Sequence, residues 1–417
     1  VARVEETGDL TEQQVMHFFR LFSQHDRVLT LWCMGINQSA TGSDNNQAIL
    51  NLHLLTGIIG RAGCGPFSLT GQPNAMGGRE VGGLANQLAA HMSFTDEDCD
   101  RVQRFWRSPS MARQPGLMAL DLFRAIAEGE VKAVWIMGTN PAVSMPEGNR
   151  VAQALAACPL VIVSDVMAQT DTSTFADILL PAQGWGEKNG TVTNSERRIS
   201  RQRAFAAAPG DTRPDWWLLA QVAQRLGFRE GFNWQHPAEI FCEHAALSGF
   251  ENDGQRAFDI SGLSQLSQAE WDALRPVQWP VNAAHPQGCA RLFGDSRLFH
   301  PDGKARLLVP ATPALTPRDA AYPLLMNSGR VRDQWHTMTR TGLVPRLMQH
   351  CDEPFVALHP ADAAQYGVTA GGLARLQSVQ GWIRPRGRPA AGMRRREPCV
   401  PLHWNRQFSR QSPVRTM

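Results

Sequence analysis

The hydrophobic and polar positions divide the chain into stretches of different period. Residues 10–25 (LTEQQVMHFFRLFSQH) repeat at the helical interval, and Thr11 with Gln14 has the spacing of a capping box. Residues 27–33 (RVLTLWC) form a short apolar run, the pattern of a buried strand, leading into Met34-Gly35-Ile36-Asn37-Gln38. Residues 49–59 predict a helix that stops near Gly57 and Gly60. Residues 63–91 (GCGPFSLTGQPNAMGGREVGGLANQLAAH) show no amphipathic period. A long polar, glycine-rich stretch between apolar elements is a common lining of a binding site.

From residue 131 the pattern alternates strand and helix. Residues 131–137 (VKAVWIM) predict a strand ending in Gly138-Thr139-Asn140-Pro141, residues 149–158 a helix, residues 160–163 a strand ending in Ser164-Asp165, and residues 176–180 (ADILL) a third strand. Continuous apolar strands separated by short helices predict a parallel sheet covered on both faces. Ligands of such sheets bind beyond the carboxyl ends of the strands, where Asn140, Ser164 and Asp165 fall. Pro214-Asp215 opens a helix with Trp216, Leu219, Ala220, Ala223 and Leu226 on one face.

Residues 230–318 predict a long irregular connection with some helix, a natural domain boundary. After Tyr322 come short strands at 323–326, 355–358 and 373–377, a small β-rich domain. Within it, residues 383–399 (IRPRGRPAAGMRRREPC) are dense in Arg and Pro and lack strand alternation, before the apolar Val400-Pro401-Leu402-His403-Trp404 resumes.

Composition narrows the class. The chain has 417 residues, 43% hydrophobic and 19% charged, which is globular and, at ~150 residues per domain, suits two to four domains. Lys+Arg (41) and Asp+Glu (38) nearly balance, giving no basic excess of the kind a nucleic-acid partner calls for. No apolar run reaches the ~18 residues of a membrane span. The eight cysteines lie no closer than 31 residues apart, so no C-x-x-C zinc or iron–sulfur spacing occurs. Scattered cysteines in a large α/β chain fit free thiols in a reducing, cytoplasmic compartment, and no signal peptide or twin-arginine leader is visible.

Several polar clusters are candidate sites, each with a plainer alternative. Met34 to Gln38 follows a strand end and offers glycine backbone with amide donors and acceptors; a polar turn has the same composition. Asp165 can accept from ribose hydroxyls or a purine edge, or can cap a helix. Glu187 to Arg198 places Lys188 where a diphosphate could sit, although a solvated turn suits the segment better. Ser328-Gly329-Arg330-Val331-Arg332-Asp333-Gln334-Trp335-His336-Thr337 is the sharpest: hydroxyl, glycine and guanidinium after a strand form a phosphate cradle. His336 has no second ligand nearby in sequence and is not read as a metal ligand. No G-x-G-x-x-G after a strand, P-loop, G-x-S-x-G or H-E-x-x-H occurs, which argues against NAD dehydrogenases, kinases, serine hydrolases and zinc proteases.

Taken in order, LWCMGINQS, GQPNAMGGREVG, MGTNPAVSMP, SDVMAQTDTSTFADILLPA, WGEKNGTVTNSERRIS and NSGRVRDQWHTMTRTG resemble the molybdopterin oxidoreductases of the dimethyl-sulfoxide-reductase superfamily. GQPNAMGGREVG with NSERR and DQWHTMTRTG is most similar to the assimilatory nitrate reductase branch. The resemblance covers about residues 1–382 and returns at 400–408. It implies an α/β fold: parallel-sheet molybdopterin-binding domains over 1–300 and a C-terminal six-stranded β-barrel dinucleotide-binding domain over 319–417, atypical at 383–399. It implies a molybdenum bis(molybdopterin guanine dinucleotide) cofactor and reduction of nitrate to nitrite by oxygen-atom transfer. Electrons would come from ferredoxin, flavodoxin or an NADH-dependent flavoprotein. Cofactor contacts carried over by resemblance are Met34, Gln38, Asn140, Ser164, Asp165, Lys188, Asp215, Ser328, Gly329, Arg330, Val331, Trp335, His336 and Thr337.

The departures are specific. The family's [4Fe-4S] cysteines and molybdenum-ligating Cys have no counterpart in this chain, so the resemblance places them in a preceding region and implies a C-terminal fragment. Ser39-Ala40-Thr41-Gly42-Ser43 stands where periplasmic relatives carry an Arg, which fits the assimilatory branch. The composition change at 383–399 reads as a local frame shift restored near Val400. A formate dehydrogenase-type enzyme on the same scaffold, and an inactive truncated remnant, are the competing expectations.

Overall fold

The computed structural model describes residues 10–310, 320–379 and 381–404. The chain divides into two compact units, one built from Val1–Gly116, Asn189–Ala204 and Ala220–Ala314, the other from Leu117–Lys188, Phe205–Leu219 and Leu315–Met417. The first strands are β1 (Leu29–Trp32), β2 (Gly65–Ser68), β3 (Ala133–Met137), β4 (Leu160–Asp165) and β5 (Ile178–Pro181). Next come β6 (Gly190–Thr193), β7 (Arg198–Gln202), β8 (Val277–Gln278), β9 (Asn327–Gly329) and β10 (Phe355–Leu358). The last are β11 (Leu376–Ser378), β12 (Gly381–Ile383), β13 (Arg386–Pro389) and β14 (Cys399–Pro401).

In the first unit the helix Glu12–Gln24 opens with the expected capping box: Gln14 N donates to Thr11 Oγ1 (3.3 Å) and Thr11 N to Gln14 Oε1 (2.8 Å). β1 and β2 run parallel, Leu29 opposite Gly65. The glycine-rich stretch therefore contributes a strand, and a short helix at Ala75–Glu80, where its sequence has no period. The helix expected from residue 49 spans Gly42–Leu55. Its first turns, GSDNNQ, are too polar to carry an apolar period, and it ends before Gly57, whose φ of 62° takes the chain into the left-handed region. Glu187 to Arg198 is no simple solvated turn, because β6 and β7 pair antiparallel through it and bury Thr193.

The larger correction concerns residues 230–281. Read as an irregular connection, they supply much of the first unit's core: Phe241, Ala245, Leu247, Phe258, Ile260, Trp271 and Trp279 are all buried. The helix Pro237–Gly249 packs with non-repetitive loops, and loops leave no period to find in the sequence.

In the second unit β3, β4 and β5 form a parallel sheet in sequence order. Val134, Ile136, Val161 and Val163 pack with Ile126, Val151, Ala154 and Leu155 from the helices Ala119–Ala127 and Gly148–Ala157. The helices cover the face of Val161 and Val163; on the other face of β4 Leu160 and Ile162 are half-buried, and the edge strand β5 leaves Ile178 and Leu179 exposed, so the expected cover on both faces is incomplete. In the helix Asp215–Arg225 the buried positions are Leu218 and Ala220, and the predicted face member Leu219 is exposed.

Beyond residue 320 the described residues hold six strands. Four form a mixed sheet in the order β13-β10-β14-β9; β11 and β12 form a hairpin, and a bridge from Leu373 to Arg386 joins the two regions. The strand expected at 323–326 lies at β9 instead, fixed by parallel pairing with β14. Residues 383–399, predicted to lack strands, form β13 and lead into β14. β13 does alternate: Arg386 and Arg388 are exposed and Gly387 is buried. The inward residue is a glycine, so no large apolar side chain marks the period. A Cβ on Gly387 would lie 2.4 Å from Val368 Cγ1 and 2.6 Å from Thr369 O.

Candidate functional site

The carboxyl ends of β3 and β4 place three of the expected residues. After β3, Gly138 turns outward at φ 60°, its N–H bonded to Ser164 O at 2.9 Å. Asn140 follows and is 5% exposed. Its Oδ1 accepts from Thr172 N (3.1 Å) and Thr172 Oγ1 (2.6 Å), and its Nδ2 donates to Asp171 Oδ2 (3.3 Å). Ser164 is fully buried and accepts from Trp135 Nε1 at 2.8 Å, so its hydroxyl serves the sheet. Asp165 is half-exposed; Oδ1 accepts from Met167 N at 2.9 Å, and Oδ2 has no hydrogen bond among the described residues. Of the three, Asp165 presents the open acceptor.

Lys188 and Asp215, expected as separate ligand contacts, meet as an ion pair at 2.8 Å. In the first unit, Met34 and Gln38 sit at the two ends of the one-turn helix Met34–Asn37, joined by Gln38 N to Met34 O at 2.9 Å. Trp32 Nε1 donates to Asn37 Oδ1 (2.8 Å) and Asn46 Oδ1 (2.7 Å), and Asn37 Nδ2 donates to Ser68 Oγ (2.9 Å). These bonds pin the turn and leave the Gln38 amide exposed with no side-chain bond among the described residues.

The end of β9 and the loop after it carry Ser328, Gly329, Arg330, Val331, Trp335, His336 and Thr337. Ser328, Arg330 and Trp335 are exposed. Arg330 makes no ion pair among the described residues, only a long 3.5 Å contact to His336 Nε2. Trp335 N donates to Thr341 Oγ1 (3.0 Å), Thr337 Oγ1 contacts Thr339 Oγ1 (3.4 Å), and the Trp335 and His336 rings meet edge-on at 4.9 Å. Burial, and then the nearby Arg330 charge, lower the His336 pKa.

Sequence reasoning missed two residues. His403 is fully buried beneath this loop: Val331 N donates to its Nε2 (2.9 Å), and its Nδ1 donates to His336 O (3.1 Å). Glu80, inside the glycine-rich stretch, is 4% exposed and accepts from Thr193 Oγ1 (2.8 Å) and Trp279 Nε1 (2.7 Å). Burial pushes its pKa up to about 7 against the pull of those two bonds. In both cases the partners lie at least 67 residues away in sequence, and no local pattern reports them.

Asp165 offers an acceptor to an amine edge or ribose, and Arg330 with Ser328 offers donors to phosphate. Beside His403, at 5.9 Å between rings, Trp404 Nε1 is buried with no partner among the described residues.

Comparison with known proteins bears on the same regions. The molybdopterin oxidoreductase family matches residues 13–225, and the molybdopterin dinucleotide-binding domain matches residues 324–415. A nitrate reductase of Klebsiella oxytoca is 57% identical over 416 residues, which is 100% of this chain and 48% of that protein. One of Shewanella frigidimarina is 49% identical over 375 residues, 89% of this chain and 40% of that protein. The chain thus spans about half the length of the curated relatives it matches. Acetylene hydratase from Pelobacter acetylenicus shares the fold at a TM-score of 0.52 and 18% identity, covering 67% of this chain and 38% of that one.

Proposed function

We propose that this chain, which belongs to the molybdopterin oxidoreductase family, is the cofactor-holding part of an assimilatory enzyme that reduces nitrate to nitrite. The observation that carries the reading is the 57% identity, along its whole length, to a protein named nitrate reductase. The bound molybdenum bis(molybdopterin guanine dinucleotide) would supply the oxygen-atom transfer; the protein supplies binding, orientation and electrostatics.

Asp165 would take a guanine amine edge or ribose with its open oxygen, at the strand ends where parallel sheets bind ligands. Asn140, locked on Thr172, holds the adjoining turn, and Ser164 with Trp135 fixes the strand that carries Asp165. Arg330 and Ser328 would face diphosphate, and Trp335 would pack an apolar face on the dinucleotide. Lys188 would exchange Asp215 for an anionic group of the cofactor. Met34 and Gln38 would be further cofactor contacts by resemblance. We assign the dinucleotide-binding role to residues 319–417 and the molybdopterin-binding role to residues 1–300. The segments 311–319 and 405–417 lie outside the described residues.

Nitrate reduction consumes two electrons and two protons, so a donor is required: a ferredoxin, a flavodoxin or an NADH-dependent flavoprotein, with a [4Fe-4S] cluster held by residues outside this chain. A cytoplasmic location goes with assimilation; no helix among the described residues is long and apolar enough to cross a membrane.

The test is made on the purified holoenzyme. Nitrite formation from nitrate with reduced methyl viologen, with molybdenum and releasable GMP in the same preparation, supports the reading. Formate-driven viologen reduction without nitrite formation assigns the chain to a formate dehydrogenase. A folded protein with neither activity is an inactive remnant.

A further inference from the structure

We propose that His403 is a positioning residue: as a neutral imidazole with its proton on Nδ1, it clamps the 328–337 loop in the shape that receives the dinucleotide. The proposal rests on the functional reading for the word dinucleotide, and on the structure alone for the clamp.

The geometry determines the tautomer. A carbonyl oxygen only accepts and a backbone N–H only donates. His336 O at 3.1 Å therefore requires a proton on Nδ1, and Val331 N at 2.9 Å requires a lone pair on Nε2. One ring spans the loop from Val331 to His336, and of the intervening residues Gln334 bonds to Met348 and Thr341, and Trp335 N to Thr341. The ring is held from below: β14 pairs with β9, Pro401 opposite Gly329, and Leu402 N donates to Gly329 O at 2.9 Å. The strand that starts the loop is thus hydrogen-bonded to the strand that carries the clamp.

A second proton on the ring would remove the acceptor and set two N–H groups against each other. Burial opposes that proton most; the backbone of His336 and of Trp335 favours it, and the titratable and charged groups that face the ring, His336 and Arg330, oppose it, so the net displacement is downward. The clamp therefore holds at neutral pH and weakens on acidification.

The test compares the holoenzyme with His403→Gln and His403→Leu by hydrogen exchange of the peptide 328–338, corrected for intrinsic exchange, between pH 5 and 8. A glutamine amide also carries one donor and one acceptor. In the Leu variant the loop is expected to exchange about ten-fold faster at pH 7.5, as for loss of two hydrogen bonds, and its releasable GMP to fall. In the Gln variant exchange is expected within about three-fold of the parent. The parent's loop opens further on acidification and the Gln variant's does not, a difference that a packing role would not produce. If the Leu variant fails to fold, the parent against Gln comparison decides alone. Equal loop exchange in all three proteins, or an identical pH response in parent and Gln variant, overturns the proposal. A parent lacking GMP sinks the functional reading and leaves the exchange comparison intact.

Discussion

Lys188 Nζ and Asp215 Oδ2 meet at 2.8 Å across 27 residues of sequence. Each is a reasonable ligand group by itself; together they neutralise one another. The pair is partly exposed, 28% for Lys188 and 39% for Asp215, where ion pairs contribute at most about 1 kcal/mol. Asp215→Asn is expected to change unfolding free energy in urea by less than about 1 kcal/mol. The same variant should bind pyrophosphate more tightly by calorimetry, because Lys188 no longer has a carboxylate to leave. Unchanged affinity would mean that Lys188 does not meet phosphate.

Asn140 is the tightest junction at the strand ends. Its replacement by Ala leaves the Thr172 N–H and hydroxyl unsatisfied at a residue that is fully buried. Unfilled buried donors cost about 1–3 kcal/mol each, so Asn140→Ala should destabilise by about 2–3 kcal/mol in urea titrations. Asn140→Asp keeps an acceptor for Thr172 but sets a second carboxylate oxygen against Asp171 Oδ2, now 3.3 Å from Asn140 Nδ2. Its deficit should shrink as pH falls toward 4.

Glu80 makes stability depend on pH with a definite sign. Its folded pKa, raised to about 7, lies above the ordinary carboxylate value of 4.5. The folded chain therefore holds a proton that the unfolded chain has released across that window. Glu80's contribution is fully present below pH 4.5, declines as pH rises, and is lost above about 7. Glu80→Gln keeps the shape and removes the titration. The melting temperature of the variant relative to the parent should rise from pH 5 to about 7 and then level off, read by calorimetry. A constant offset would place the Glu80 carboxyl at an ordinary pKa.

Gly387 shows why the Arg- and Pro-rich segment folds. A methyl there would press against Val368 Cγ1 and Thr369 O, at 2.4 Å and 2.6 Å. Gly387 N also donates to Gly372 O at 2.8 Å, and Gly387 O accepts from Gly371 N at 2.9 Å. Gly387→Ala should cost about 1–3 kcal/mol, the usual penalty for overpacking, and Gly387→Val more. Thermal unfolding of the two variants measures it. The adjoining stretch is tied by Asp362, buried to 2% exposure, which accepts from Arg395 Nε at 2.7 Å and Arg396 N at 2.6 Å. These fitted contacts are the structural counterweight to a shifted reading frame, which sequencing through the codons for 383–399 settles directly.

Local chemistry was sufficient for the parts of the fold that repeat. Residues 133–165 announce β3, a helix and β4 because buried parallel strands are continuous apolar runs, and Thr11 with Gln14 announces a helix start because both halves of the box lie within one turn. The same local signals put Asn140 and Asp165 at strand ends and mark 328–337 as a polar loop. Tertiary structure decided the rest. β13 alternates on a glycine, which no hydrophobic pattern registers, and needs β10 to become a strand. Residues 230–281 build a core from the helices Pro237–Gly249 and Gln268–Ala273 together with aperiodic loops that carry Phe258, Ile260 and Trp279. Ser164 proved to serve Trp135, Lys188 to meet Asp215, and Glu80 and His403 to bridge segments distant in sequence. A sequence specifies the hydrogen-bonding capacity of each side chain. Which donor meets which acceptor is set by pairings across the fold, where burial makes an unmet partner costly.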